Sequence, residues 1–373
     1  MQKIGLVSYQ FWYNYGTCLQ AYALWKKIQM MGFDSEYINF GWHYPISESK
    51  VTLLSKIKYK VKHILNLDKI ETKVFNINAA NNRLFDEFRN DYIKESSPID
   101  IHNLESIESS YSKFIVGSDQ TWNPDCVEEQ FFKIFLLSFV HDPAKKNAYA
   151  PSIGRNNVST HCLDLFKQYL DGVTYISCRE KSGCKILSKA LNRDIQQVLD
   201  PTLLLESKDW DVVAKNPITD KGYILCYILG NKSCICEYAK KLAQRENKRL
   251  YIISNNLDVY KSFEDYILQG VGPKEFVGLI RDCSCLVTDS FHGTIFSINF
   301  QKDFYTFHKR PGTLNESDNS RILDTLRQFG LEDRFREDSD ESFSHSIDYG
   351  KVTRILEKYR KESLVYLNNI LNT

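Results

Sequence analysis

Residues 286–300, LVTDSFHGTIFSINF, read as a buried apolar strand that stops at a polar corner and restarts as an apolar helix. The corner holds Asp289, Ser290, His292 and Gly293. Asp and Ser are helix-capping types, and glycine lets a backbone come close to a neighbour. The following helix points its first turn, and with it a positive dipole end, toward whatever lies beside His292. A strand ending at such a corner is the unit of an open parallel sheet, where ligands bind beyond the carboxyl ends of the strands.

Working outward, the first forty residues repeat the unit. Residues 4–9 are a short apolar run and Asn14-Tyr15-Gly16-Thr17 is a turn with cap residues. Ala21, Leu24, Ile28 and Met31 then fall at helical spacing before Gly32, and residues 36–40 are the next strand. Further strands are expected at 114–116, 148–150, 175–178, 197–199, 223–228, 249–253 and 285–288, mostly with helical stretches between them. That rhythm predicts an α/β fold of mainly parallel sheets. Pro201 in VLDPTLLLESKDW marks a boundary, which gives two Rossmann-like doubly wound lobes at 1–203 and 204–345 and a C-terminal helix in 346–373 that packs on either lobe.

Residues 44–97 break the rhythm and look like a wholly helical insertion in the first lobe. Within them, SKVTLLSKIKYKVKHILNL puts Leu54, Ile57, Val61, Ile64 and Leu65 on one face and Lys50, Lys56, Lys58, Lys60 and Lys62 elsewhere. A basic amphipathic helix of this kind either packs on its own lobe or attaches peripherally to an anionic membrane surface or acidic glycan.

The 48 basic and 47 acidic residues leave a net charge of +1, so the whole chain carries no electrostatic footprint for nucleic acid. The 43% apolar share is that of a globular chain. No signal-peptide pattern opens the sequence and no long apolar window interrupts it, so it reads as cytoplasmic. The ten cysteines lack zinc-site spacing and read as small buried hydrophobes. P-loop, dinucleotide-fingerprint, zinc-protease and nucleophile-elbow motifs are all missing, which removes support for those chemistries.

Four strand-end corners remain. At the first, Asn14 and Gly16 suit close approach of a ligand, or simply a tight turn. In FIVGSDQTWNP (114–124), Ser118, Asp119, Gln120 and Trp122 suit a hydroxyl-rich ligand, with the indole stacking on a sugar ring; the plainer reading is a cap followed by a buried tryptophan. In YISCREKSG (175–183), the Arg179 fork suits a carboxylate or phosphate, with Glu180 its partner or a base; alternatively Arg179 closes an internal ion pair. At the opening corner, His292 binds phosphate, acts as a general acid, or merely caps, with Ser290, Gly293 and Thr294 around it. A further basic group at His308, Lys309 and Arg310, and Arg321 at a helix start, reach the interlobe cleft or lie on solvated surface.

Taken together, NYGTCLQAYAL (14–24), VGSDQTWNP (116–124), AYAPSIG (148–154), ISCREKSG (176–183), VLDPTLLL (198–205), GPKEFVGLIRDCSCLVTDSFHGTIFSI (272–298) and NSRILDTL (319–326) resemble the polysaccharide pyruvyl transferase family in the family's order. The resemblance implies transfer of pyruvate from phosphoenolpyruvate to a sugar of a capsule, exopolysaccharide or other surface-polysaccharide precursor. The product is a pyruvate ketal, with release of phosphate and no cofactor. It also implies a fold like the B-type glycosyltransferases (GT-B), with the acceptor on the first lobe, phosphoenolpyruvate on the second, and a lipid-linked oligosaccharide as acceptor. On this reading Arg179 and the His292-Gly293 helix start hold the donor, His292 is the acid or phosphate contact, and Asp119 or Glu180 is the base. The family's R-x-H-G arginine has Ser290 in its place here, and Arg321 or Arg310 is expected to supply that charge. The alternatives are a nucleotide-sugar glycosyltransferase of the same fold and a non-catalytic glycan-binding protein.

Overall fold

Two parallel sheets organise the computed structural model, which describes residues 3–41, 69–308, 320–338 and 340–373. The first contains β1 (Ile4–Val7), β2 (Ser35–Tyr37), β3 (Lys113–Gly117), β4 (Lys146–Tyr149), β5 (Tyr175–Cys178) and β6 (Gln196–Gln197), in the order β2-β1-β3-β4-β5-β6. The second contains β7 (Ile224–Tyr227), β8 (Leu250–Ile253), β9 (Cys285–Thr288), β10 (Asp303–Phe307) and β11 (Phe335–Arg336), in the order β11-β10-β9-β7-β8. Every pairing is parallel, with Ile4 opposite both Ser35 and Lys113 and Ile224 opposite both Leu250 and Cys285. Strands such as IGLV and CLVT are buried at each position, as a parallel sheet covered on both faces requires.

Helices follow the strands as the spacing predicts. They are α1 (Tyr15–Met30), α2 (Lys69–Tyr92), α3 (Glu129–Phe135), α4 (Thr160–Leu170), α5 (Lys181–Leu191) and α6 (Ser207–Trp210). After them come α7 (Ser233–Arg245), α8 (Leu257–Phe263), α9 (Pro273–Asp282), α10 (Phe291–Asn299), α11 (Ser320–Phe329) and α12 (Tyr349–Asn372). The expected α/β architecture of two doubly wound lobes is therefore present.

Two details differ from the sequence reading. Strands β10 and β11 were not expected, and both lie on one side of β9. The stretch 44–97 is not helical to its end: the chain leaves α2 at Tyr92, and the Tyr37 amide donates to Lys94 O at 2.8 Å as Glu95 bridges the edge strand. An extended edge offers unpaired backbone groups, and these residues use them. The lysines at 50–62 lie outside the described residues, and so does Arg310.

One apolar cluster runs from the first sheet into the second, through Leu24, Phe88, Trp210, Phe276 and Phe296. Separate clusters cover the far faces, around Phe114, Trp122 and Phe166 on one side and Ile224, Ile252 and Phe307 on the other. The lobes thus share a core as well as having their own. Helix α12 straps them together. Its Tyr349 hydroxyl donates to Ser297 O, Arg360 Nε donates to Leu203 O, and near its end Ile370 O accepts from Lys113 Nζ on β3. No helix among the described residues is long and apolar enough to cross a membrane.

Candidate active site

The carboxyl ends of β1, β3, β5 and β9 meet at the junction between the lobes, each ending in a polar corner. Asn14 caps α1, its side chain accepting from the Thr17 amide at 3.1 Å. The Thr17 hydroxyl in turn donates to Asp119 Oδ2, at the end of β3. Asp119 sits at φ 61°, a left-handed conformation that aspartate tolerates better than most residues and that turns its carboxylate into the junction. At the end of β9, Ser290 caps α10 by accepting from the Gly293 amide, which sets His292 in the first helical turn.

Gly16 and His292 meet across the lobes. A Cβ on Gly16 would stand 2.0 Å from His292 Nδ1, so only glycine admits the imidazole there. The other ring nitrogen, Nε2, lies 3.7 Å from Asp200 Oδ2, an ion-pair separation too long for a hydrogen bond.

Asp200 is the hub of the site. Its Oδ2 accepts from Arg179 Nη1 at 2.7 Å and from Ser118 Oγ at 2.9 Å, and its Oδ1 accepts from the Thr202 amide and hydroxyl. Burial would raise its carboxyl, but His292, Arg179 and the Thr202 amide outweigh burial and hold it well below the usual carboxylate range. Asp119 is lowered in the same sense: burial opposes, and Arg179, then His292, then the Thr17 hydroxyl prevail. Arg179 keeps its proton all the more firmly because Asp200, Asp119 and Glu180 outweigh its own burial.

Only one nitrogen of Arg179 is used up in this network. Its Nη2 lies 3.5 Å from Asp119 and its Nε 3.8 Å from Glu180, and neither makes a hydrogen bond. Glu180 divides its work similarly. Oε1 accepts from Ser152 Oγ and from the amides of Ile153 and Gly154, while the buried Oε2 makes no hydrogen bond. Ser182 Oγ, Arg321 Nε and His292 Nε2 also lack partners. Buried polar atoms are normally paired, so six such atoms on five residues of one region mark a place where a polar ligand completes the bonding.

Arg321 reaches this region from α11. Its guanidinium lies 5.8 Å from the centroid of the Phe291 ring, over which Arg179 also lies at 4.5 Å. Asp324 on the same helix accepts from the Ser182 amide, tying α11 to the start of α5. Burial and then the neighbouring Arg179 lower the Arg321 pKa, the direction expected of a cation that an added anion would relieve. Ser290, at the R-x-H-G arginine position, is buried and spends its hydroxyl on the cap.

Several sequence candidates fall elsewhere. Trp122 is fully buried, donates Nε1–H to Phe135 O at 2.9 Å and packs on Phe166, so it is a core residue and not a sugar platform. The corner turns it inward because the face of the sheet beneath needs a large apolar group. Thr294 is buried with its hydroxyl on Ser290 O and Thr306 Oγ1, and Gly293 is required by packing, since a Cβ would meet Thr288 Oγ1 at 2.9 Å. Gln120 Oε1 accepts from Asn123 Nδ2 beside Gly154. His308 pairs with Glu337 at 3.1 Å. Residues that the sequence reading passed over are Asp200, Ser182 and Phe291, and Thr17 was read only as a cap residue. Cys126 also feels the charge of Asp119, but burial first and Asp119 second push its thiol up to about 12, so it offers no thiolate at neutral pH. Among the described residues no group of three or more His, Cys, Asp or Glu side chains has a metal-binding arrangement.

A family model for polysaccharide pyruvyl transferase matches residues 14–307. The chain belongs to that family. All the described corners from Asn14 to His292 fall inside the match, while Arg321 and the strap helix of this polysaccharide pyruvyl transferase family member lie beyond it. No curated protein sequence matches the chain. Solved structures with a similar chain path include UDP-GlcNAc 2-epimerase of Methanocaldococcus jannaschii, with 11% identity, 96% of this chain and 92% of that chain covered and a TM-score of 0.47. Others are UDP-GlcNAc 2-epimerase of Neisseria meningitidis (9% identity, 100% of both chains, TM-score 0.46) and ADP-heptose lps heptosyltransferase II of E. coli (12% identity, 97% of this chain and 99% of that chain, TM-score 0.37).

Proposed function

We propose that the protein transfers pyruvate from phosphoenolpyruvate to two hydroxyls of a sugar in a surface-polysaccharide precursor, forming a ketal and releasing phosphate. The observation that carries this reading is a set of buried nitrogens without hydrogen-bond partners at one junction, Arg179 Nε and Nη2, Arg321 Nε and His292 Nε2, in a chain of this family. Phosphoenolpyruvate brings a carboxylate and a phosphate, and planar guanidinium forks suit both.

In the proposed reaction the methylene carbon takes a proton and C2 becomes electrophilic. One sugar hydroxyl adds to C2, the C2–O bond to phosphate breaks, and the second hydroxyl closes the ketal. Of the two hydroxyl protons released, one balances the proton gained by carbon and the other leaves with phosphate. His292 is the acid or the phosphate contact. Asp119, kept ionised and hydrogen-bonded to Thr17, is the base toward the sugar hydroxyls, and Glu180 Oε2 accepts a hydrogen bond from the acceptor. Arg321 takes the part of the arginine replaced by Ser290. The positive charge comes from these side chains, so the scheme calls on no cofactor. A lipid-linked acceptor at a membrane face fits the same chemistry.

The test is phosphate release from phosphoenolpyruvate with a panel of galactosides, glucosides and N-acetylmannosaminides. Release should require a sugar and fall by about 10²–10⁴ in His292→Ala. Turnover within a few-fold of wild type in that variant would remove His292 from the chemistry. Thermal protection by a nucleoside diphosphate but not by phosphoenolpyruvate would instead favour a nucleotide-sugar glycosyltransferase.

A further inference from the structure

Five large apolar side chains are exposed among the described residues: Tyr13, Met30, Val212, Leu229 and Val365. Two of them, Tyr13 and Leu229, lie on loops that adjoin the site. In each sheet the strand order reverses beside the first strand, between β1 and β3 in one and between β7 and β9 in the other. These are the crevices where doubly wound sheets receive ligands. Tyr13 lies on the loop after β1, and Leu229 on the loop after β7.

Both loops are tied to the site itself. Tyr13 directly precedes Asn14, the cap of α1, whose Gly16 touches His292. The amides of Leu229 and Gly230 donate to Asp289 at 2.7 and 2.8 Å, in the same corner that positions His292. Between the loops, Tyr15 packs edge-on against Tyr227, with ring centroids 5.6 Å apart. Tyr13 and Leu229 are each two residues from that contact.

Tyr13 is half exposed, at 48%, yet held on several sides. Its hydroxyl donates to Asp86 at 3.2 Å, the Arg89 guanidinium lies 4.9 Å from its ring centroid, and Phe85 meets it edge-on. Arg89 also donates to Phe11 O at 2.7 Å, which fixes the loop. A ring ordered in advance loses little freedom on binding. Its setting is amphipathic: the Arg89 guanidinium lies over the ring, the Asp86 carboxylate accepts from its hydroxyl, and the rest of the aromatic surface is open. That suits a pyranoside, whose C–H face packs on the ring while its hydroxyls reach polar groups. An alkyl chain would desolvate Asp86 and Arg89 without replacing their water.

We propose that Tyr13 and Leu229 form the entrance subsite for the acceptor, with the Tyr13 ring stacking on a pyranoside; the subsite rests on the sugar acceptor proposed above. The test compares wild type with Tyr13→Ala, Tyr13→Trp and Leu229→Ser in two assays. One measures KM for acceptor and for phosphoenolpyruvate by phosphate release. The other follows binding of methyl and octyl glycosides by saturation-transfer NMR, which needs no turnover. Tyr13→Ala should raise acceptor KM about tenfold, leave the KM for phosphoenolpyruvate within about twofold, and weaken the saturation-transfer signal of methyl glycosides by a similar factor. Tyr13→Trp should restore both readouts, and Leu229→Ser should show a smaller rise of the same kind. Unchanged acceptor KM and unchanged methyl-glycoside binding in Tyr13→Ala would overturn the subsite, as would a penalty confined to octyl glycosides, which would make the occupant an alkyl chain. Wild type that binds methyl glycosides through Tyr13 but releases no phosphate would overturn the pyruvyl reading and keep the subsite.

Discussion

Gly16 is the residue at which one lobe touches the His292 corner of the other. A methyl group there cannot coexist with the His292 ring in its present place, because the Cβ would lie 2.0 Å from Nδ1. Gly16→Ala should therefore lower kcat by on the order of 10²-fold, the usual consequence of displacing a reacting group by about 1 Å. Steady-state kinetics alongside a melting curve check this, and a variant with wild-type kcat would contradict the close approach. The place of the candidate site was partly legible in the sequence. Arg179, His292 and Asp119 stand at strand ends, where polar residues have few structural uses. Asp200 was hidden because it precedes a proline in a stretch that reads as a boundary, and its cap on Thr202 gives no hint that its other oxygen gathers Ser118 and Arg179. Trp122 misled for the opposite reason: an indole near polar residues looks exposed until Phe135 and Phe166 are seen around it.

Among the elements, α12 bonds to both lobes along its length. It starts against Ser297, passes Leu203 and Leu199, and ends with Ile370 O accepting from Lys113 Nζ. Leu367 on its inner face is fully buried in the shared core. Leu367→Ala should destabilise the protein by about 2–5 kcal/mol, read as a lower urea midpoint, since truncation removes buried apolar surface and leaves a cavity. A midpoint equal to wild type would mean that the strap contributes little. The helix itself was evident from its period, but its partners were not. An apolar stripe states that one face is covered and says nothing of which lobe covers it. Strands β10 and β11 escaped for want of length: DFYTF begins with a charged residue, and β11 has two residues, too few to show a period.

At the scale of the whole molecule, protonation couples to folding through Asp200, which draws on Ser118 and Arg179 in the first lobe and lies beside His292 in the second. Its folded pKa is lowered, so its contribution to stability is present above the unfolded value of about 3.9 and is lost as pH falls toward the folded one. Asp200→Asn should thus be less stable than wild type at pH 7, with the gap closing below about pH 4. Urea midpoints across that range check it, and a gap independent of pH would show that the charge is not what Asp200 contributes. The sequence by itself determined the α/β class, the series of strand-end corners and the family, because periodicity, turn residues and short motifs are local in the chain. Only the tertiary structure decided that Gly16 faces His292, that Asp200 joins Arg179 to Ser118, and that Arg321 comes within reach of Phe291. Those contacts link residues far apart in the chain, and they exist because a shared core and a strap helix hold two sheets at one junction, a constraint no single stretch of sequence carries.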